Sequence, residues 1–331
     1  MFGYVARRFL YMIPTLFGIS LVSFLIIQLP PGSYLDTYIS ALEAEGATVD
    51  QAQIDALTQR YGLDRPIHEQ YLTWIGNVLQ GDFGQSFRHN RPVEELIWER
   101  LALTMALSTG AIILTWIIAF PVGIYSAVRQ YSLGDYIFTT LGFIGLAIPN
   151  FLFALLLMVL SFKLFNTGVG GLFSSEMATQ PWSFAKFLDL LQHIWIPIIV
   201  IGTSSTAGLI RIMRANLLDE LHKPYVTTAR AKGQSENVIL ARYPVREALN
   251  PFVSTIGYVL PELVSGSIIV AVVLSLPTTG PLLLDALRSQ DMYLAGALVL
   301  MLSVLTVIGT LVSDILLAWL DPRIRNSMTG S

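Results

Sequence analysis

The stretch KPYVTTARAKGQSENVILARYPVREALNP, residues 223–251, lies between two apolar runs and carries Lys223, Arg230, Lys232, Arg242 and Arg246. Small side chains (Thr227, Thr228, Ala229, Ala231) stand where most loops are bulky or acidic, and one glycine, Gly233, marks a turn. Pro224 occupies a place favoured for the first residue of a helix and Gly233 a place favoured just past its end, so the spacing predicts a short helix over 224–232. Ser235 is placed to cap a second helix through Val238, Ile239 and Leu240. Helix, turn, helix between two apolar runs is the layout of a polar segment lying across a membrane face.

Moving outward, the 331-residue chain is 53% hydrophobic and 13% charged, with a mean hydropathy of +0.61. Soluble domains are about 25% charged, so this is a membrane protein. It has no cysteine, which excludes disulfides and thiolate chemistry. No two of its four histidines stand at i, i+3 or i, i+4, which excludes a helical metal pair. A spanning helix needs roughly 20 apolar residues. Runs free of charge, or nearly so, cover residues 10–29, 101–128, 136–162, 190–210, 251–284 (broken only by Glu262) and 292–313, the last continuing past Asp314 to residue 320. The expectation is an all-α membrane protein of six transmembrane helices. The first is too long for a signal-peptide core and is read as an uncleaved anchor. Pro14, Pro121, Pro149, Pro197 and Pro261 fall inside these runs, and packing kinks are the simplest reading of them.

Basic residues set the orientation. Arg7, Arg8, Arg129, seven residues between 211 and 246, Arg323 and Arg325 make twelve of the twenty basic residues, all on one side of the predicted spans. Both termini are therefore expected inside (N-in/C-in). Residues 30–100 fall outside and hold eleven acidic residues against five basic ones. Ile54, Leu57 and Tyr61 in one part of this segment, and Tyr71, Leu72, Ile75 and Leu79 in another, have helical spacing. Two short amphipathic helices are expected to form a small extracytoplasmic cap, with Trp74, Trp98 and Trp195 as outer-interface anchors.

Residues 227–233, TTARAKG, closing on Pro251, resemble the cytoplasmic signature loop of ABC importer permeases, which reads Glu-Ala-Ala, three residues, then Gly. Thr227 and Thr228 stand at the Glu and first Ala positions, while Ala229 and Gly233 match. This variant resembles the dipeptide and oligopeptide permease branch. RRFL (7–10), YGLDRP (61–66), GDFGQSF (81–87), AIPNF (147–151) and DPRIR (321–325) resemble the family's other motifs, in order, over nearly the whole chain. The resemblance implies the type I ABC importer permease fold and a non-catalytic subunit for ATP-driven, binding-protein-dependent import of peptides across the bacterial inner membrane. It implies coupling through Tyr225, Thr227, Thr228, Ala229, Arg230, Ala231, Lys232 and Gly233, with the short helix riding in a groove of an ATPase. Arg230 and Lys232 would meet acidic rims of that groove. The implied partners are a second homologous permease chain, two cytoplasmic ATPase subunits holding ATP and Mg, an extracytoplasmic solute-binding protein and membrane lipid, with no nucleic acid. The implied divisions are 1–29 (tail and first span), 30–100 (extracytoplasmic segment), 101–325 (permease core, with the coupling loop at 218–250) and 326–331 (tail).

Other readings stay open on the residues. The loop also fits an ordinary positive-inside loop with an interfacial helix. Between residues 265 and 280, SGSIIVAVVLSLPTTG lacks the family's acidic-threonine-aromatic cluster, which leaves oligosaccharides beside peptides as the solute. Glu262, an acid in apolar surroundings, is a translocation-path candidate with Asn150 and Ser265, or the centre of a self-sufficient secondary transporter. An intramembrane enzyme would need a paired constellation, and no histidine is placed to activate Ser204 or Ser205. No G-x-x-x-x-G-K-[ST] phosphate loop occurs, so a pump built on this chain draws its energy from a partner. Asp314 is expected to bond to a neighbouring loop, and His193 to be interfacial.

Overall fold

The computed structural model describes residues 2–28, 58–59, 64–86, 88–165, 170–254 and 268–320, which are mostly helical. In chain order the elements are α1 (Phe2–Gln28), α2 (Ile67–Leu79), an antiparallel pair β1 (Gln85–Ser86) and β2 (Arg91–Pro92), α3 (Val93–Val128), α4 (Leu133–Ala147), α5 (Asn150–Phe165), α6 (Phe184–Leu221), α7 (Pro224–Ala231), α8 (Glu236–Arg242), α9 (Pro244–Ser254), α10 (Ile268–Val273), α11 (Thr279–Arg288) and α12 (Met292–Leu320). Among the described residues four segments are long and apolar enough to cross a membrane: Ala6–Gln28, Val93–Val128, Phe184–Thr203 and Met292–Leu316.

The third expected span is not one helix. α4 and α5 meet at 102° and make a fifth candidate span only as a bent pair. The proline ring disfavours helical geometry at the preceding residue, and Ile148 is extended at φ −82, ψ 121. The Pro149 carbonyl then accepts from the N–H groups of Leu152 and Phe153 at 2.9 and 3.0 Å and starts α5. Pro14, Pro121 and Pro197, by contrast, stay inside α1, α3 and α6. The run 251–284 is likewise not one helix to its end. α10 stops before Leu274, Ser275 takes φ +53, and α11 begins only at Thr279. Residues 255–267, which include Glu262, Ser265 and Pro261, lie outside the described residues. So do DPRIR and the first expected outer helix, apart from the helical Thr58 and Gln59.

The chain divides into two compact units. One comprises residues 9–103 and 278–307. Its aromatic cluster sets Trp74 against Phe24 and Tyr71, with ring centroids 5.7 and 6.3 Å away, and the Tyr71 hydroxyl pairs with Ser20 Oγ at 2.7 Å. Trp74 is therefore buried rather than an interface anchor, while Trp98 stays exposed. The packed face of α2 centres on residue 74, so Leu72 and Leu79 of the expected stripe point to the surface. Residues 81–86 of the motif GDFGQSF fold as a turn. Gly81 and Gly84 take φ near +90°, and a Cβ on Gly84 would come within 2.6 Å of the Tyr293 ring. The turn delivers the Ser86 hydroxyl to Asp291 Oδ2 at 2.5 Å, and the Arg88 N–H donates to the same oxygen at 3.2 Å. Asp291 Oδ1 accepts from the Leu294 N–H at 3.3 Å, capping α12, and no part of the residue is exposed.

The other unit comprises residues 1–8, 104–277 and 308–331 and is arranged along α6, on which α4, α5 and α9 pack. Leu209, Met213 and Leu217 of α6 are buried with Ala119 and Ala127 of α3 and with Val245 and Ala248 of α9. Gly123 lets α3 and α6 approach closely, since a Cβ there would meet the Met213 side chain at 2.6 Å. Asp314 pairs with Arg8 at 3.1 Å, so its partner is the start of α1 and not a loop. His193 accepts or donates at Nδ1 with the Asp189 carbonyl one turn earlier, at 2.7 Å.

Candidate coupling site

Of its 38 residues, α6 carries the charge-free run 190–210 and then continues for eleven residues, about 16 Å at 1.5 Å per residue, to Leu221. An extension carrying Arg211, Arg214, Asp219 and Glu220 on an otherwise mostly apolar helix thus leads to α7. The helix predicted over 224–232 is present as Pro224–Ala231, with the proline at its first turn. Its end is a Schellman motif. The Gly233 N–H donates to the Arg230 carbonyl at 2.9 Å and the Gln234 N–H to the Ala229 carbonyl at 3.3 Å, with Gly233 at φ +73°. Space around Gly233 is open, so the backbone angle is what calls for glycine there.

α7 and α8 close on each other through Val226, Ala229 and Ile239, all buried, with Tyr243 packed against them. Ala229 therefore faces inward. The residues presented outward are Tyr225, Thr227, Thr228, Arg230, Ala231, Lys232 and Gly233. Arg230 pairs across the turn with Glu236, with Nε and Nη2 donating at 2.8 and 3.2 Å, an exposed contact within the hairpin. Its guanidinium holds the Glu236 carboxyl below the usual range. The Tyr225 hydroxyl donates to Glu220 Oε2 at 2.5 Å and ties α7 to the end of α6. Burial first, and then the Glu220 carboxylate, push that phenol above its ordinary range, so it remains a donor. Ser235 stands at the first position before α8, but its side chain makes no capping bond. Asn150 opens α5, half-buried, away in sequence from the hairpin.

One arrangement beside the hairpin escaped sequence reasoning. Arg214, on the extension of α6 beyond its charge-free run, grips Asp135 with both arms of its fork, Nε to Oδ1 at 3.0 Å and Nη2 to Oδ2 at 2.9 Å. Asp135 also accepts from the Tyr131 N–H at 2.9 Å and the Thr139 hydroxyl at 3.3 Å and is 2% exposed. The pair fixes the turn between α3 and α4 to the shaft that carries α7. An acid just before a charge-free run was the available signal; its partner lies 79 positions away and had none.

A helical chain of apolar spans, with a polar helix hairpin mounted on the extension of one of them, has the make-up of a transporter's membrane component. Residues 119–326 match the family described as binding-protein-dependent transport system inner membrane component, and residues 1–108 match its N-terminal companion. The chain belongs to this family of inner-membrane permease components. It is 40% identical to the oligopeptide transport system permease protein AppB of Bacillus subtilis over 98% of this chain and 100% of that protein. A putative peptide permease protein of Brucella ovis is 35% identical over 98% and 99%, and the glutathione transport system permease protein GsiC of Escherichia coli K12 is 32% identical over 98% and 99%.

Proposed function

We propose that this chain is the permease subunit of an ATP-driven importer of oligopeptides or dipeptides. It has six spans with both termini inside, a helical extracytoplasmic segment over 30–100 and a permease core over 101–325. The near full-length similarity to permeases named for oligopeptides, peptides and glutathione supports a peptide solute. In this reading α7 is the coupling helix. It sits in a groove of a cytoplasmic ATPase subunit, and the stiff extension of α6 carries the motion of ATP-driven closure into the spans. ATP and Mg reside in two ATPase partners, a second homologous permease completes the path, and a binding protein delivers solute from outside. Glu262, Ser265 and Asn150 are the residues proposed to face the path.

The observation that carries the coupling role is that α7 turns small and polar side chains outward while its apolar residues hold it to α8. The test is a gentle-detergent purification of the tagged chain with partners identified by mass, joined to peptide uptake. Two ATPase subunits and one homologous chain are expected. Ala231→Glu changes only the exposed face, and Gly233→Pro destroys the turn; both are expected to abolish uptake and leave membrane insertion intact. Uptake that survives either change, or a chain that purifies without an ATPase, would sink the coupling role. Competition of uptake by peptides but not by oligosaccharides is the expected outcome for the solute.

A further inference from the structure

The geometry points to a binding site for an anionic phospholipid in the groove between α4 and α6. The groove is about 250 Å3 and is walled by Phe138, Phe143, Leu146 and Ile210, with Arg211 and Arg214 at one end. These residues all belong to one compact unit. Arg214 is spent on Asp135, and the bidentate pair leaves that carboxylate neutralised. Arg211 is exposed and has no ionic partner among the described residues. An apolar wall that ends in one uncompensated guanidinium suits an amphiphile, with an acyl chain along the aromatic side and a phosphate on the arginine. A zwitterionic headgroup brings its own ammonium to the contact and gains less. Free phosphate would leave the wall uncovered.

The depth is consistent. Arg211 is the first charged residue after the charge-free run 190–210 of α6, so it stands where the apolar surface of that helix ends. With the inside orientation proposed above, on which this inference rests, that is the headgroup level of the inner leaflet. Basic pockets between helices on that side are where anionic headgroups bind.

The complete transporter, purified with its partners, is to be loaded with phosphatidylglycerol or phosphatidylcholine and lipid retention read by native mass spectrometry. Phosphatidylglycerol is expected to be retained over phosphatidylcholine by about fivefold, the effect of one basic residue at the membrane surface on an anionic lipid. Arg211→Gln should remove the preference and Arg211→Lys should keep most of it. Gly142→Leu, which fills the groove and leaves the charge, should remove it too. Equal retention of the two lipids, displacement of phosphatidylglycerol by inorganic phosphate alone, or cross-linking of Gly142→Cys to the second permease chain would each overturn the site. Partner subunits are expected to co-purify equally with wild type and variants. Their absence from wild type would strike the proposed function instead.

Discussion

Asp135 and Asp291 are both withdrawn from water, by opposite means. Asp135 is met by a cation, with Arg214 closing on both its oxygens and a backbone N–H and a hydroxyl completing the shell. Asp291 accepts hydrogen bonds from neutral donors, namely the Ser86 hydroxyl and the N–H groups of Arg88 and Leu294, with the His89 ring as the nearby group able to carry charge. One carboxylate is held by charge, at the turn leading into a candidate span. The other is held by dipoles, where a glycine-built turn meets the start of α12. A buried charge left without its counter-charge has no good alternative, whereas one held by several neutral donors loses them one at a time.

The largest effect is therefore expected at the first site. Arg214→Met strands Asp135 and should cost about 3–5 kcal/mol. Thermal unfolding of the purified complex checks this, and the double variant Asp135→Leu with Arg214→Met should recover most of the loss. At the second site Asp291→Ala should cost about 1–3 kcal/mol by leaving Ser86 and two backbone N–H groups without an acceptor. Ser86→Ala should cost about 1 kcal/mol, since it removes a single donor. A loss for Asp291→Ala as large as for Arg214→Met would erase the distinction between the two sites.

The same contrast explains what could be read from the sequence. The α7–α8 hairpin was legible because its determinants are local. Pro224 sets the start, Gly233 takes the left-handed turn, and the apolar residues at 226, 229 and 239 lie within one short stretch. The direction in which Ala229 faces was not legible, because it depends on α8 folding back. Long apolar runs gave α1, α3, α6 and α12 for the same local reason. At Pro149 the composition of the run hid a break that depends on the backbone of Ile148. Trp74 was misplaced because an amphipathic stripe does not say which apolar surface it will meet. Neither aspartate site was legible, since the partners are separated by 79 positions in one case and 205 in the other.

The smallest and most discriminating effect is in pH. Burial pushes the Asp291 carboxyl above its ordinary value of 3.8, against the pull of the Ser86 hydroxyl, the two backbone N–H groups and the nearby His89 ring. Between that ordinary value and the raised one the folded chain keeps a proton that the unfolded chain has lost. The contribution of this group is then full below pH 3.8 and declines as pH rises through the raised value. Asp291→Asn cannot exchange that proton. The thermal midpoint of the wild-type complex should therefore fall relative to that of Asp291→Asn as pH rises across the window. A wild-type midpoint that instead gains on the variant would mean that the three donors outweigh burial. Dipoles would then be doing at Asp291 what the guanidinium does at Asp135, and the two sites would differ in construction but not in energetics.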